Sequence, residues 1–231
     1  MLIRQLFDRS SSAFSYLLID EPTRQAALID PVREQFERDL QLVQELNAEL
    51  RYVLETHVHA DHITSAAALA ERTFAVTCAS GLGAACAKRH LCDGDVLSLG
   101  ATLIRTLATP GHTNDSLSFY VEPYVFTGDT LLVRGTGRTD FQNGDSGALY
   151  DSITKRLWAL PDATQVLPGH DYRGHAVSSI GEERRFNPRL AGKSREQFTA
   201  IMRELRLAPP KLLSLAVPAN LACGRDSAKA V

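Results

Sequence analysis

The chain opens on three short apolar runs, Leu2 to Phe7, Phe14 to Ile19 and Gln25 to Ile29, parted by Ser10-Ser11-Ser12 and Glu21-Pro22-Thr23. Apolar runs of this length bounded by turn residues predict β-strands. From Val32 to Leu50 the period changes: Phe36, Leu40, Val43 and Leu46 recur at helical spacing, so a helix is expected. A strand over Tyr52 to Glu55 then feeds a polar cluster, and the Ala-rich stretch Ser65 to Glu71 continues as a helix. Phe74 to Cys78 reads as a strand, Gly83 to Arg89 as a short helix, and Asp93-Gly94-Asp95 as a turn ahead of the run Val96 to Leu99. Three further strands follow, Thr102 to Ala108, Ser116 to Val121 and Tyr124 to Phe126. An amphipathic helix over Leu149 to Leu160, with Ile153, Leu157 and Leu160 on one side, leads to a last buried strand at Gln165 to Leu167. Beyond Ser178 charged helices at Ile180 to Phe186 and Arg195 to Leu205 precede a Pro-interrupted tail. They either cover a sheet edge or form an oligomer surface, with which a homodimer is compatible. The reading is one domain over residues 1–231, with 178–231 as a C-terminal helical extension and a mobile tail from Gly224 to Val231.

Composition narrows the function classes. A chain of 231 residues that is 44% hydrophobic and 23% charged is long enough to bury a full core and is not of disordered type. Its 25 basic and 27 acidic residues leave a net charge of −2, so no global charge favours nucleic acid or an anionic membrane. Small molecules are the expected partners. The N-terminus runs straight into a strand without the pattern of a signal peptide, and no stretch approaches the ~20 apolar residues that span a bilayer. Cys78, Cys86, Cys92 and Cys223 show no C-x-x-C spacing and are too sparse for a disulfide scaffold, which points to a reducing compartment and a cytoplasmic protein. Cys223 is expected to be a buried, inert thiol rather than a redox-sensitive one.

The densest chemistry is His57-Val58-His59-Ala60-Asp61-His62, placed just after an apolar run. A single histidine is usually solvated or merely hydrogen-bonded, but imidazoles and a carboxylate this close suit a first-row transition metal. Three other outcrops share that setting: Pro110-Gly111-His112, Thr127-Gly128-Asp129 and Pro168-Gly169-His170. Each puts a His or Asp beside a glycine just past an apolar strand, where the backbone can turn tightly. Singly each is an ordinary turn; four such loops at one sheet edge could surround an ion. On the residues alone, the seven groups equally allow two Zn²⁺ ions activating a hydroxide for hydrolysis.

In this order the motifs resemble the metallo-β-lactamase superfamily. The resemblance implies an α/β fold, an αββα sandwich of two mixed β-sheets flanked by helices with the metal at one edge. It narrows further: Thr56 to Thr64, Gly128 to Gln142, His170-Asp171-Tyr172, Asn187 to Leu190 and Val217-Pro218-Ala219-Asn220 resemble the ethylmalonic-encephalopathy protein family, the persulfide dioxygenases. That resemblance implies one Fe(II) per chain held by His57, His112 and Asp129, with open positions as in non-haem iron oxygenases. It leaves His59, Asp61, His62 and His170 as groups that orient the ligands. The implied reaction takes glutathione persulfide, O2 and water to glutathione and sulfite. Arg138, Tyr172 and Arg189 are candidates to meet the glutathione carboxylates, although Arg138 equally well braces its own loop through Asp140. A rhodanese sulfurtransferase, where one takes part, is expected as a separate polypeptide. The rival is a glyoxalase II-like dinuclear thioesterase acting on glutathione thioesters; the 134–140 loop and the short C-terminal segment speak against it. A metal sensor is disfavoured because no DNA-binding helix pair or basic stripe appears.

Overall fold

A computed structural model describes residues 1–225; the remainder of the tail read above as mobile, 226–231, lies outside the described residues. The first sheet has the order β1 (Leu2–Asp8), β2 (Ala13–Ile19), β3 (Gln25–Ile29), β4 (Glu49–Leu54), β5 (Val76–Ser80), β6 (Arg89–Leu91). Its first two pairings are antiparallel and the next three parallel. Every residue of β2 is buried, and β3 is buried from Ala26 on, as expected of strands covered on both faces. Helices α1 (Phe36–Glu45) and α2 (Ala66–Thr73) connect the parallel strands. Val43, Ala66 and Leu69 from them pack with Leu17, Ile19, Leu28 and Val53 in one core cluster.

The second sheet runs β12 (Ser178–Ser179), β11 (Gln165–Pro168), β10 (Tyr124–Gly128), β9 (Leu117–Val121), β8 (Thr102–Ala108), β7 (Val96–Leu99). It too is mixed: β10 and β11 run parallel, while β8 with β9, β9 with β10 and β11 with β12 pair antiparallel. Its helices are α3 (Ser146–Asp151), α4 (Ile180–Phe186) and α5 (Arg195–Glu204), and Leu149, Ile180, Phe198 and Met202 join Val125 and Val166 in a second core cluster. The chain divides into two compact units. One holds Met1–Leu91, Val96–Ile104 and the segment from Pro209 on; the other holds Cys92–Asp95 and Arg105–Ala208.

Four expectations are corrected. The helix expected from Val32 to Leu50 spans only Phe36–Glu45: Val32 is extended and bridges Thr64, and at the far end Asn47 takes a left-handed φ of 46° and turns the chain into β4, which claims Leu50. The segment Gly83 to Arg89 is no helix: turns run to Lys88 and carry the chain from β5 into a parallel pairing at β6, which begins at Arg89, and Ala84 and Ala87 are used as small packing residues. The helix read at Leu149 begins three residues sooner, at Ser146, where the Asp145 carboxylate caps Ala148 N at 2.7 Å, and it widens into π-type turns over Ser152–Arg156. The Pro-interrupted tail contains a further helix, α6 (Leu213–Leu221), with Pro218 inside it.

The cysteine reading is also corrected. Cys86 and Cys223, 137 residues apart, form a disulfide with Cα atoms 5.9 Å apart, so Cys223 is no free thiol. Sequence spacing could not show a pair that only the fold brings together. Cys78 and Cys92 remain free, and burial pushes the Cys78 thiol up to about 12.

Candidate metal centre

In the first unit the His cluster begins where β4 ends beside β3, the parallel register bringing Ile29 opposite Leu54. Asp30, just past β3, accepts from Thr56 N and from Thr56 Oγ1, each at 2.7 Å. A carboxylate only accepts, so the Thr56 hydroxyl donates to it and keeps its lone pairs for His57 Nδ1, 2.9 Å away. This chain of contacts places the proton of His57 on Nδ1 and leaves Nε2 as its donor atom for a metal.

His59 lies between two buried carboxylates, its Nε2 3.2 Å from Asp30 Oδ1 and 3.3 Å from Glu55 Oε2. The contacts are ion-pair distances with poor alignment, and neither ring nitrogen makes a hydrogen bond among the described residues. Burial opposes charge on this imidazole, but Asp30 and Glu55 outweigh it and hold the pKa well above the usual value. Burial likewise raises Glu55. His62 Nδ1 is 2.8 Å from Asp61 Oδ2, while its buried Nε2 has no hydrogen-bond partner among the described residues. The rings of His57, His59 and His62 stand in series, with centroids 4.1 and 4.3 Å apart.

In the second unit His112, Asp129 and His170 come together. His112 Nδ1 donates to the Arg138 carbonyl at 2.7 Å, and His170 Nδ1 is 2.6 Å from Asp129 Oδ1. The remaining His112 Nε2 and Asp129 Oδ2 face each other at 3.6 Å. That is too long for a hydrogen bond but close to the separation of two ligands each about 2.1 Å from one ion. A metal therefore fits the atoms the structure offers, and His62 Nε2 is a second buried nitrogen of the kind a metal would satisfy. The loop after Asp129 is tied to it: Gly137 N donates to Asp129 O at 2.7 Å. A Cβ at Gly137 would sit 2.3 Å from that carbonyl and 2.8 Å from His112 Nδ1, so only glycine fits.

The candidate substrate residues fall in this unit with unequal freedom. Arg138 grips Asp140 with Nε and Nη2, both at 2.7 Å, and donates to the Ala208 and Leu207 carbonyls, which is the bracing arrangement. Its hydrogen bonds, then its charge, hold the Asp140 carboxyl below the usual range. Arg189 donates to Thr136 O and Oγ1, and burial, then the Arg173 charge, lowers its pKa. Tyr172 is 68% exposed and stacks on His170 with centroids 5.5 Å apart.

Three residues with site contacts went unmarked in the sequence: Glu55, read only as the end of a strand, is one of them. Asp30 follows an apolar strand like the other outcrops, and that setting was its signal. Asn220 belongs to a quoted motif, yet only the fold shows its amide donating to the His59 and His62 carbonyls.

The comparisons complete the picture. The family model described as "Metallo-beta-lactamase superfamily" matches residues 11–84 and 90–170. The chain is 44% identical over 229 residues to "Persulfide dioxygenase ETHE1, mitochondrial" of Bos taurus and to the protein of the same name of Homo sapiens, covering 97% of this chain and 89% of each relative. A solved structure, "Crystal structure of ETHE1 from Myxococcus xanthus", is 58% identical with a TM-score of 0.96, covering 97% of this chain and all of that one. The chain belongs to the persulfide dioxygenase family of the metallo-β-lactamase superfamily. The resemblance read in the sequence is thereby borne out, and so is the fold class, two mixed sheets flanked by helices. As a persulfide dioxygenase relative the chain also carries the His/Asp cluster of the superfamily's metal-binding site.

Proposed function

We propose that this protein oxidises glutathione persulfide with O2 to glutathione and sulfite, at a single Fe(II) held by His57, His112 and Asp129. The carrying observation is similarity over 97% of the chain, at 44% and 58% identity, to proteins named persulfide dioxygenase or ETHE1, which favours this reading over the dinuclear thioesterase. His57, His112 and Asp129 would supply two imidazoles and a carboxylate as donors. They match the ligand type of non-haem iron oxygenases, where the iron supplies the site at which O2 and a soft sulfur anion are brought to react.

The protein's part is orientation and charge. Thr56 turns the His57 ring, the Arg138 carbonyl turns that of His112, and His170 holds Asp129 Oδ1 so that Oδ2 points toward His112. His59, between Asp30 and Glu55, suits an outer role that steadies the cluster, and Asp61 does the same for His62. Tyr172 and Arg189 remain the substrate contacts of this reading, with Arg138 shaping the loop beside them. The sulfane sulfur would come from a separate sulfurtransferase.

Iron-loaded protein in an oxygen electrode with glutathione persulfide tests the proposal, with sulfite measured in parallel. Stoichiometric O2 uptake and sulfite formation with about one iron per chain are expected. Two zincs per chain with thioester hydrolysis and no O2 uptake would overturn it.

A further inference from the structure

The H-x-H-x-D-H turn is held from outside by a side chain of α6. The Asn220 side chain, buried on α6, donates from Nδ2 to the carbonyls of His59 at 2.9 Å and His62 at 2.8 Å, while its Oδ1 accepts from Thr64 N at 2.8 Å. Two carbonyls and one N–H allow the amide a single orientation, and they use its donor and acceptor ends together. Asp61 and His62 therefore ride on a turn whose two sides are joined through one side chain.

The end of α6 is itself fastened beside that turn. Cys223 O accepts from Ala67 N at 3.1 Å, in the first turn of α2, and Arg33 Nη2 donates to Gly224 O. Gly224 lies so close to the chain that a Cβ there would be 2.0 Å from Thr64 O. The Cys86–Cys223 disulfide then links this end to the turns after β5. All of these groups belong to the first unit.

We infer that Asn220 is a positioning residue for the metal-binding turn and that the Cys86–Cys223 disulfide holds it in register. The inference rests on the proposed metal site. Loss of the Asn220 contacts frees the His59–His62 backbone and loosens the metal without removing a ligand, as outer partners of metal ligands do. Opening the disulfide acts in the same direction through α6. That step is thiol–disulfide exchange: the protein disulfide takes two electrons and two protons from a dithiol, which becomes a disulfide, and a low-molecular-weight disulfide reverses it. In a reducing compartment such a bond is transient, so the brace would follow the thiol state around it.

The test measures release of Fe(II) to a chromogenic chelator under anaerobic conditions, together with the ligand-field spectrum of the Co(II)-substituted protein. Asn220→Asp and Asn220→Leu are compared with the parent, and Val43→Ala, in the core cluster of the first unit that includes neither Asn220 nor the turn, reports what lost stability alone does. Release about 10-fold or more faster in the Asn220 variants is expected, with a changed Co(II) spectrum and neither effect in Val43→Ala. Cys86→Ser, and the parent after dithiol reduction, should release iron faster than the oxidised parent. Parent-like release in a folded Asn220→Asp, or release that only tracks the thermal midpoint in all variants, overturns the role of Asn220. Unchanged release after reduction and in Cys86→Ser overturns the role of the disulfide. A parent that retains no iron at all would instead defeat the proposed function.

Discussion

Asp129 divides its labour between two oxygens, one tied to His170 and one turned toward His112. Replacing it with alanine removes both, and Asp129→Ala is expected to lose iron as well as turnover, measured by metal analysis and O2 uptake. His170→Ala keeps the proposed ligand but lets it rotate. Iron affinity about 10- to 100-fold weaker, with folding intact by circular dichroism, is the expected result. Gly137→Ala should also release metal, because the added methyl has backbone on one side and the His112 ring on the other and neither is a flexible chain end. Parent-like iron content in that variant would show that the loop yields without disturbing His112. These residues were legible because each follows an apolar strand and stands beside a glycine or another donor. Asp30 has the strand but no such neighbour. Asn220 could not be found that way, since its partners are backbone groups 156 to 161 residues distant, and nothing in a side chain's identity names a backbone partner.

Elements with a clear period were legible in the sequence, and elements decided by tertiary contacts were not. β3 and α4 have the limits expected from their apolar runs, whereas the Ala-rich 83–89 segment was drawn out of helix by the pairing of β5 with β6. In α6 Pro218 argued against a helix. The carbonyl it leaves unpaired belongs to Ser214, which is exposed to water, while Ala216 and Asn220 on the other side are buried. Helix α1 carries its own prediction. Asp39 is buried with Oδ2 lacking a hydrogen bond among the described residues, and burial, only partly offset by Arg38, pushes its pKa up to about 6 from 3.8. The folded state thus binds this proton more tightly than the unfolded chain. Ionisation costs stability in full above pH 6, and the cost fades as pH falls toward 4. Asp39→Asn should accordingly be more stable than the parent at pH 8, by at most about 3 kcal/mol, with the gain vanishing near pH 4 in denaturant titrations.

At the scale of the whole molecule, alternating strands and helices announced an α/β fold, but strand order and the return of residues from Pro209 on into the first unit depend on contacts no local pattern encodes. A metal that binds only the folded chain stabilises all of it. At free iron 100-fold above its dissociation constant the gain is about 2.7 kcal/mol. For a chain of this size that is roughly 5 to 10 °C of thermal midpoint, which chelation should remove and added Fe(II) restore in calorimetry. An unchanged midpoint would mean that the ion is not linked to folding.

The late return of α6 bears on how the protein matures. Asn220 leaves the ribosome 158 residues after His62, so the nascent turn spends most of synthesis without its buckle. Metal insertion is then expected late in the life of the polypeptide, and a cell short of the metal should accumulate apoprotein rather than arrested half-chains.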